Sequence, residues 1–431
     1  MLTVVDLRNG GDPVAALPRA QIDRDAVRER VREIVAAVRS GGDEAALGFE
    51  ERFGTRPHAL RVPAGDIQAA AASCERSLLA AIEVAAQRIR AYHERQVAEE
   101  RAPFWRSGTD GAWVGEETRP VARAGCYVPG GRASYPSTVL MTTTPARVAG
   151  VERIIVCVPP SSSGAVHPAT LAACAIAGVD EVFAIGGAQA VAAMAYGTET
   201  IPAVDVVAGP GNLYVTLAKH EVALDVGVDA FAGPTEVAIV ADETADPLFI
   251  AADLVAQAEH DPLATAVLIT PSEDLIAAVE EALATEVAAA PRREDIEQAL
   301  RGQGRAALVA DLEAALEVAN AFAPEHLELL VGDPQQVLQR VRNAGAVFLG
   351  AYSPVALGDY VAGTNHVLPT AGTARFASPL RASTFVKSTG VIAFERSGLE
   401  EFGSALVTLA EAEGLPAHAR ALRVRLEGRD G

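Results

Sequence analysis

Glu325 and His326, the chain's two strongest acid–base candidates, sit side by side in "FAPEHLELL" (322–330), framed by Phe322, Leu327, Leu329 and Leu330. Burying both groups without partners would cost free energy, so this frame demands partners for them. A purely structural alternative is a helix start whose polar residues face water. Pro324 suits that alternative, because proline favours the first helical position and drives its predecessor out of the helix. The stretch alone therefore predicts a helix opening at Pro324.

Other polar clusters are spaced for metal or anion chemistry. "ADLVAQAEHDP" puts Gln257 and His260 three apart at a helix end, on one face, and an imidazole beside a carbonyl oxygen suits half of a borderline-metal site. "LGDYVAGTNHVLPT" carries Asp359 and His366 into a glycine-rich loop behind a strand ending at Gly350, where α/β proteins place their sites. The alternative there is an aspartate stabilising its own turn. In the tail, Pro416 starts a helix with His418 in its first turn and Glu413 just before it; two solvated residues is the plain alternative. "CYVPGGRASYPS", "AIGGAQAVAAMAYG" and "AGPGNLYVT" are glycine-rich, and the last two open into helices whose free N–H groups suit an anion or nucleotide. None is a GxGxxG, and ordinary turn chemistry also explains them. His58, His93 and His167 read as surface residues, and His220 as helix surface or a core hydrogen-bonder.

The elements that position these residues follow from the texture. Residues 20–105 carry apolar residues at helical spacing. From about 120, short β-branched runs such as "VERIIVCVPP", "TEVAIVADE" and "GAVFLGAY" alternate with helical patterns, which predicts parallel sheets covered on both faces. After Pro379 the strand signals weaken and the tail reads as helical, broken at Gly414 and Pro416. Such a tail buries little by itself and must pack on its own body or on another subunit.

With 431 residues, half of them hydrophobic, the chain can build a large core. Its 56 acidic against 36 basic residues give a net charge of −20, which argues against nucleic acid or an anionic membrane as partner. Only Lys219 and Lys387 are lysines. Cys74, Cys126, Cys157 and Cys174 lie far apart with no CxxC, pointing to a reducing cytoplasm rather than disulfides or thiolate zinc. "MLTVVDLRNGGDP" meets Asp6 before any long apolar run and has no basic lead, unlike a signal peptide. No stretch reads as a membrane span.

Together the stretches resemble histidinol dehydrogenases. The matching blocks run in the family's order from about 120 to 420: "CYVPGGRASYPSTVLMTTTPARVAGV", "AIGGAQAVAAMAYGT", "VDVVAGPGNLYVTLAKHEV", "FAGPTEVAIVAD", "DLVAQAEHDP", "APEHLEL", "NAGAVFLGAYSPVALGDYVAGTNHVLPT" and "AEGLPAH". The resemblance implies oxidation of L-histidinol to L-histidine by two hydride transfers to NAD+, with one zinc ion per subunit of a homodimer. It implies an α/β fold of two Rossmann-like parallel-sheet domains with helical N- and C-terminal extensions. The corresponding division is an extension 1–22, a discontinuous first domain 23–125 and 237–379, an inserted cofactor-side domain 126–236, and a dimerisation tail 380–431 that reaches the partner subunit. It assigns zinc to Gln257, His260, Asp359 and, from the partner, the His418 position. Glu413 on that tail and Thr235 join these and the catalytic pair Glu325 and His326 around substrate, and Tyr127, Gln189 and Asn212 contact the cofactor. Thr235 stands where the family often has serine, which keeps the hydroxyl.

The chemistry suits these assignments. Histidinol's imidazole and amine are good zinc partners, and a neutral imidazole is a suitable base for an alcohol proton. The expectation is that His326 takes that proton while Glu325 activates water on the bound aldehyde. A helix opening at Pro324 would keep Glu325 ionised and His326 neutral. The rivals are a dehydrogenase of another amino or hydroxy compound, a zinc hydrolase using Glu325, and a non-catalytic binding protein. A hydrolase leaves the glycine-rich blocks unexplained, and a mere binder leaves so many aligned ionisable residues without a purpose.

Overall fold

The computed structural model describes residues 1–20, 23–100, 104–109, 111–130, 134–231 and 233–427. Three residues of the first glycine-rich stretch, Gly131, Arg132 and Ala133, lie outside them. Strand β1 (Thr3–Asp6) and the short α1 (Pro13–Ala16) precede three helices, α2 (Arg24–Phe53), α3 (Ala64–Ser73) and α4 (Arg76–Glu100). An antiparallel pair, β2 (Phe104–Thr109) and β3 (Ala112–Pro120), comes next. Strands then alternate with helices: β4 (Arg123–Tyr127), α5 (Pro136–Ala149), β5 (Arg153–Val158), α6 (Pro168–Ala177), β6 (Glu181–Ala184), α7 (Gly187–Tyr196), β7 (Val206–Ala208), α8 (Leu213–Val222) and β8 (Gly227–Val228). A second alternating run holds β9 (Glu236–Ala241), α9 (Pro247–Ala258), β10 (Thr265–Thr270), α10 (Glu273–Ala289), α11 (Arg293–Gln303), β11 (Arg305–Leu308) and α12 (Leu312–Phe322). It continues through β12 (His326–Leu330), α13 (Pro334–Leu338), β13 (Ala346–Leu349) and α14 (Val355–Tyr360). The chain then adds β14 (Val386–Phe394), α15 (Arg396–Ala412) and α16 (Pro416–Glu427).

The alternation produces two parallel sheets, ordered β6-β5-β4-β7-β8 and β1-β11-β10-β9-β12-β13, as the texture predicted. Each is buried on both faces, and the pleat divides its residues between two cores. In β5, Ile154, Val156 and Val158 enter one core, whereas Ile155 and Cys157 enter the other. In β9, Val237 and Ile239 face one side, and Ala238 and Val240 the other.

Packing corrects two expectations. The N-terminal helices do not cover the strands of 237–379, with which the resemblance groups 23–125. Val31, Ile34 and Val38 of α2 join Ile155 and Phe183, while Ile67, Ile82 and Ile89 of α3 and α4 join Val139 and Ile154. Those helices extend the cover that α5 and α6 give one face of the five-stranded sheet and α7 and α8 the other. The region after Pro379 is also not wholly helical. β14 pairs with β3 along nine residues in an antiparallel three-stranded sheet, β14-β3-β2. Its sequence, "VKSTGVIAF", lacks a polar–apolar alternation: Lys387 to Gly390 form one exposed polar or small run, and Ile392 and Phe394 are exposed as well.

Candidate active site

The stretch that predicted a helix start forms a helix end and a central strand. Ala323 closes α12 with a left-handed φ of 50°, since the following Pro324 disfavours helical geometry in its predecessor. Chain direction then places Glu325 and His326 at the start of β12, between β9 and β13, with all five strand residues buried. Leu327 and Leu329 point into one core, and His326 and Glu328 share the opposite face with Leu330, towards α9 and α14.

His326 Nδ1 lies 2.9 Å from the Glu236 carbonyl oxygen. A carbonyl only accepts, so Nδ1 carries the hydrogen and Nε2 presents its lone pair to the site. Burial holds the imidazole below its ordinary pKa, hence neutral. Glu325 Oε2 accepts from the Thr235 hydroxyl at 2.6 Å and the Glu236 N–H at 2.8 Å. Burial still raises this carboxyl well above the usual range, reinforced by the nearby Glu236 and Asp359 charges. The expectation that a helix N-terminus holds Glu325 ionised loses its basis, because no helix starts there and burial favours the protonated form.

Thr235 receives a hydrogen bond from Gln257 Nε2 at 2.7 Å, giving a directed chain from Gln257 through Thr235 to Glu325. Gln257 Oε1 is buried and has no donor among the described residues. Asp359 Oδ1 and Oδ2 stand 4.0 Å from His326 Nε2 and His260 Nε2, too far for direct hydrogen bonds. Asp359 belongs to α14, whose Gly358 lies against the Phe348 ring; a Cβ there would come within 2.7 Å of it. His366 Nδ1 donates to the Asp359 carbonyl at 3.0 Å and steadies that turn.

An orphaned amide oxygen, an imidazole and a carboxylate form an N/O donor set that fits a divalent cation such as zinc. Among the described residues no three His, Cys, Asp or Glu side chains gather as a metal cluster. This chain contributes two of those types and an amide. His418 and Glu413 do not join them: both are exposed on the α15–α16 hairpin, beside an apolar groove lined by Leu406, Leu409 and Leu422.

The cofactor candidates fall in two places. Tyr127 OH accepts from Gly187 N at 3.1 Å, and Gln189 Nε2 donates to Glu50 Oε1 at 2.7 Å, so both meet the start of α7. Asn212 caps α8 through Oδ1, leaving its amide hydrogens for other partners. A groove of about 760 Å³ runs past Asn212, Thr235 and His260. Next to it, a cavity of about 130 Å³ is bounded by Gly209, Lys219, Thr235, Glu325 and His366.

Sequence reasoning missed several supports. Glu236 is 2% exposed, pairs with Arg19, and through its backbone holds both Glu325 and His326. Glu50, which also accepts from Gly186 N, looks in sequence like any acid on an amphipathic helix. Buried Lys219 pairs with Asp229 at 2.5 Å, and the pair engages both the N–H and the carbonyl of Gly209. The scarcity of lysine was the one available signal. His93, read as surface, is fully buried, with Nδ1 2.8 Å from Gln96 and Nε2 beside Asn365. His220 does lie exposed on α8, against Phe231.

Two doubly covered parallel sheets, a groove lined from both of their units and a buried carboxyl–imidazole pair define an α/β enzyme. The histidinol dehydrogenase family model matches residues 17–426. A histidinol dehydrogenase of Parasynechococcus marenigrum is 50% identical over 93% of this chain and 91% of its own length, and one of Thermobifida fusca 48% over 99% and 98%. A crystal structure of histidinol dehydrogenase from Elizabethkingia anophelis superposes with a TM-score of 0.93 at 34% identity, covering 99% of this chain and 98% of the other. The chain belongs to the histidinol dehydrogenase family, oxidoreductases of histidine biosynthesis.

Proposed function

We propose that the protein carries out the four-electron oxidation of L-histidinol, through bound L-histidinal, to L-histidine, with NAD+ as acceptor and zinc in the site. Gln257, His260 and Asp359 would hold the zinc together with the His418 position of a second copy, making a homodimer with shared sites. When bound, the metal would supply Lewis-acid polarisation of the substrate oxygen, and NAD+ would serve as the hydride acceptor.

The chain's own groups do the proton work. His326 Nε2, with its hydrogen held on Nδ1 by the Glu236 carbonyl, takes the alcohol proton in the first oxidation. Glu325, once ionised, removes a proton from water attacking the aldehyde; the Thr235 hydroxyl and Glu236 N–H aim its carboxylate. Glu413 of the second copy would bind the substrate amine. Tyr127, Gln189 and Asn212 lie on the cofactor side, in the unit 126–236. Four free cysteines, three of them buried, accord with a cytoplasmic setting, and no helix among the described residues is long and apolar enough to cross a membrane.

The observation that carries the reading is the buried chain Gln257–Thr235–Glu325 together with the Asp359 carboxylate, whose oxygens stand 4.0 Å from His260 and His326. The test is NADH formed per L-histidinol consumed, with zinc and after chelation. Two NADH, lost on chelation and restored by zinc, is the expected result. One NADH would mean that the aldehyde escapes and that Glu325 has another role; none would reject histidinol as substrate.

A further inference from the structure

Below the site, Glu328 is completely buried on the same face of β12 as His326. Its Oε1 accepts the N–H of Val355 at 3.1 Å, at the start of α14, where the preceding Pro354 offers no side-chain cap. Its Oε2 is buried with no donor among the described residues, while the Asp253 carboxyl of α9 lies within hydrogen-bonding reach. Two carboxylates cannot hydrogen-bond to each other; one proton between them supplies the missing donor.

We propose that Asp253 and Glu328 are positioning residues: two carboxyls sharing one proton that fasten α9, β12 and α14 into a single frame. Each of those elements carries a group of the site. Gln257 is one helical turn beyond Asp253 on α9, His326 is two residues before Glu328 on β12, and Asp359 is four residues beyond Val355 on α14. The frame sets the spacing of the orphaned Gln257 oxygen, the His326 base and the Asp359 carboxylate. Burial raises both carboxyls, Asp253 to about 6 and Glu328 well above its usual range, in keeping with a retained proton. Two apolar residues in these positions would fill the space, but they would leave the Val355 N–H without a partner.

The inference rests on the zinc site proposed above, and its test separates the two. Glu328→Gln keeps an oxygen for Val355 N–H and provides an N–H for the Asp253 carboxylate, reproducing the charge of the shared-proton pair. Glu328→Leu removes both bonds. For full-length protein loaded with zinc, the chelator concentration that strips half the metal should stay within about 3-fold of wild type for Glu328→Gln and fall roughly 10- to 100-fold for Glu328→Leu. Hydrogen exchange at Val355–Tyr360 should quicken only in Glu328→Leu. Equal retention in all three proteins, or a Glu328→Gln loss as deep as that of Glu328→Leu, would overturn the proposal. If Glu328→Leu does not fold, Asp253→Asn against Asp253→Ala puts the same question from the other side. If wild type takes up no zinc, the metal site is wrong, and hydrogen exchange alone decides whether the frame exists.

Discussion

Thr235→Val deletes one hydroxyl while keeping the side chain's shape, and that hydroxyl joins two buried groups. Gln257 is 2% exposed and its Nε2 would lose its acceptor at 2.7 Å, with Oε1 already unpartnered. Glu325 would lose the donor at 2.6 Å and keep only the Glu236 N–H. A buried donor left unmade costs about 1–3 kcal/mol, and a lost hydrogen bond to the Glu325 carboxyl roughly another 1 kcal/mol. Metal-free Thr235→Val should therefore be destabilised by about 2–4 kcal/mol, whereas Thr235→Ser, which keeps the oxygen, should lose under about 1 kcal/mol. Urea unfolding of the metal-free proteins measures both. The Thr235 hydrogen bond also opposes the upward shift of Glu325. Without it, the part of the pH–rate profile that follows Glu325 ionisation should move to higher pH in Thr235→Val and stay in place in Thr235→Ser. Equal unfolding midpoints and superposable profiles for the two variants would refute the bridge.

Four other outcomes are expected. Because burial raises Glu325 in the folded state, its contribution to stability is complete below about 4.5 and is lost as pH rises through the folded value, with a slope of up to roughly 1.4 kcal/mol per pH unit. Metal-free Glu325→Gln should lack this decline, and parallel stability–pH curves for the two proteins would contradict the raised value. His326→Asn should slow histidinol oxidation by about 10²–10⁴-fold, while Glu325→Gln spares that step and slows oxidation of supplied histidinal; equal loss of both steps in both variants would end the division of roles. His326 is held below 6.5, so the acid limb belonging to it should also lie below that value and vanish in His326→Asn. Co-expressed His326→Asn and His418→Asn chains should recover about a quarter of wild-type activity if the tail serves a second copy, and almost none if it serves its own chain.

The sequence by itself determined the local periodicities and the chemical inventory. Alternating β-branched runs and helical spacing foretold the parallel sheets, and glycine-rich turns marked the openings of α7 and α8. The blocks that resemble the family named Thr235, Gln257, His260, Glu325, His326 and Asp359, which the fold gathers from β9, α9, β12 and α14 and the short links beside them. Tertiary structure decided what depends on distant neighbours. Pro324 fits a helix start as well as a helix stop, and only pairing with β9 and β13 makes the next residues a strand. The upward shift of Glu325 follows from burial among Glu236 and Asp359, brought from other parts of the chain, so local reasoning pointed in the opposite direction. Glu50, Asp253 and Glu328 were invisible for the same reason. An acid on a helix or strand reads as solvated until the fold shows which partner, rather than water, it faces.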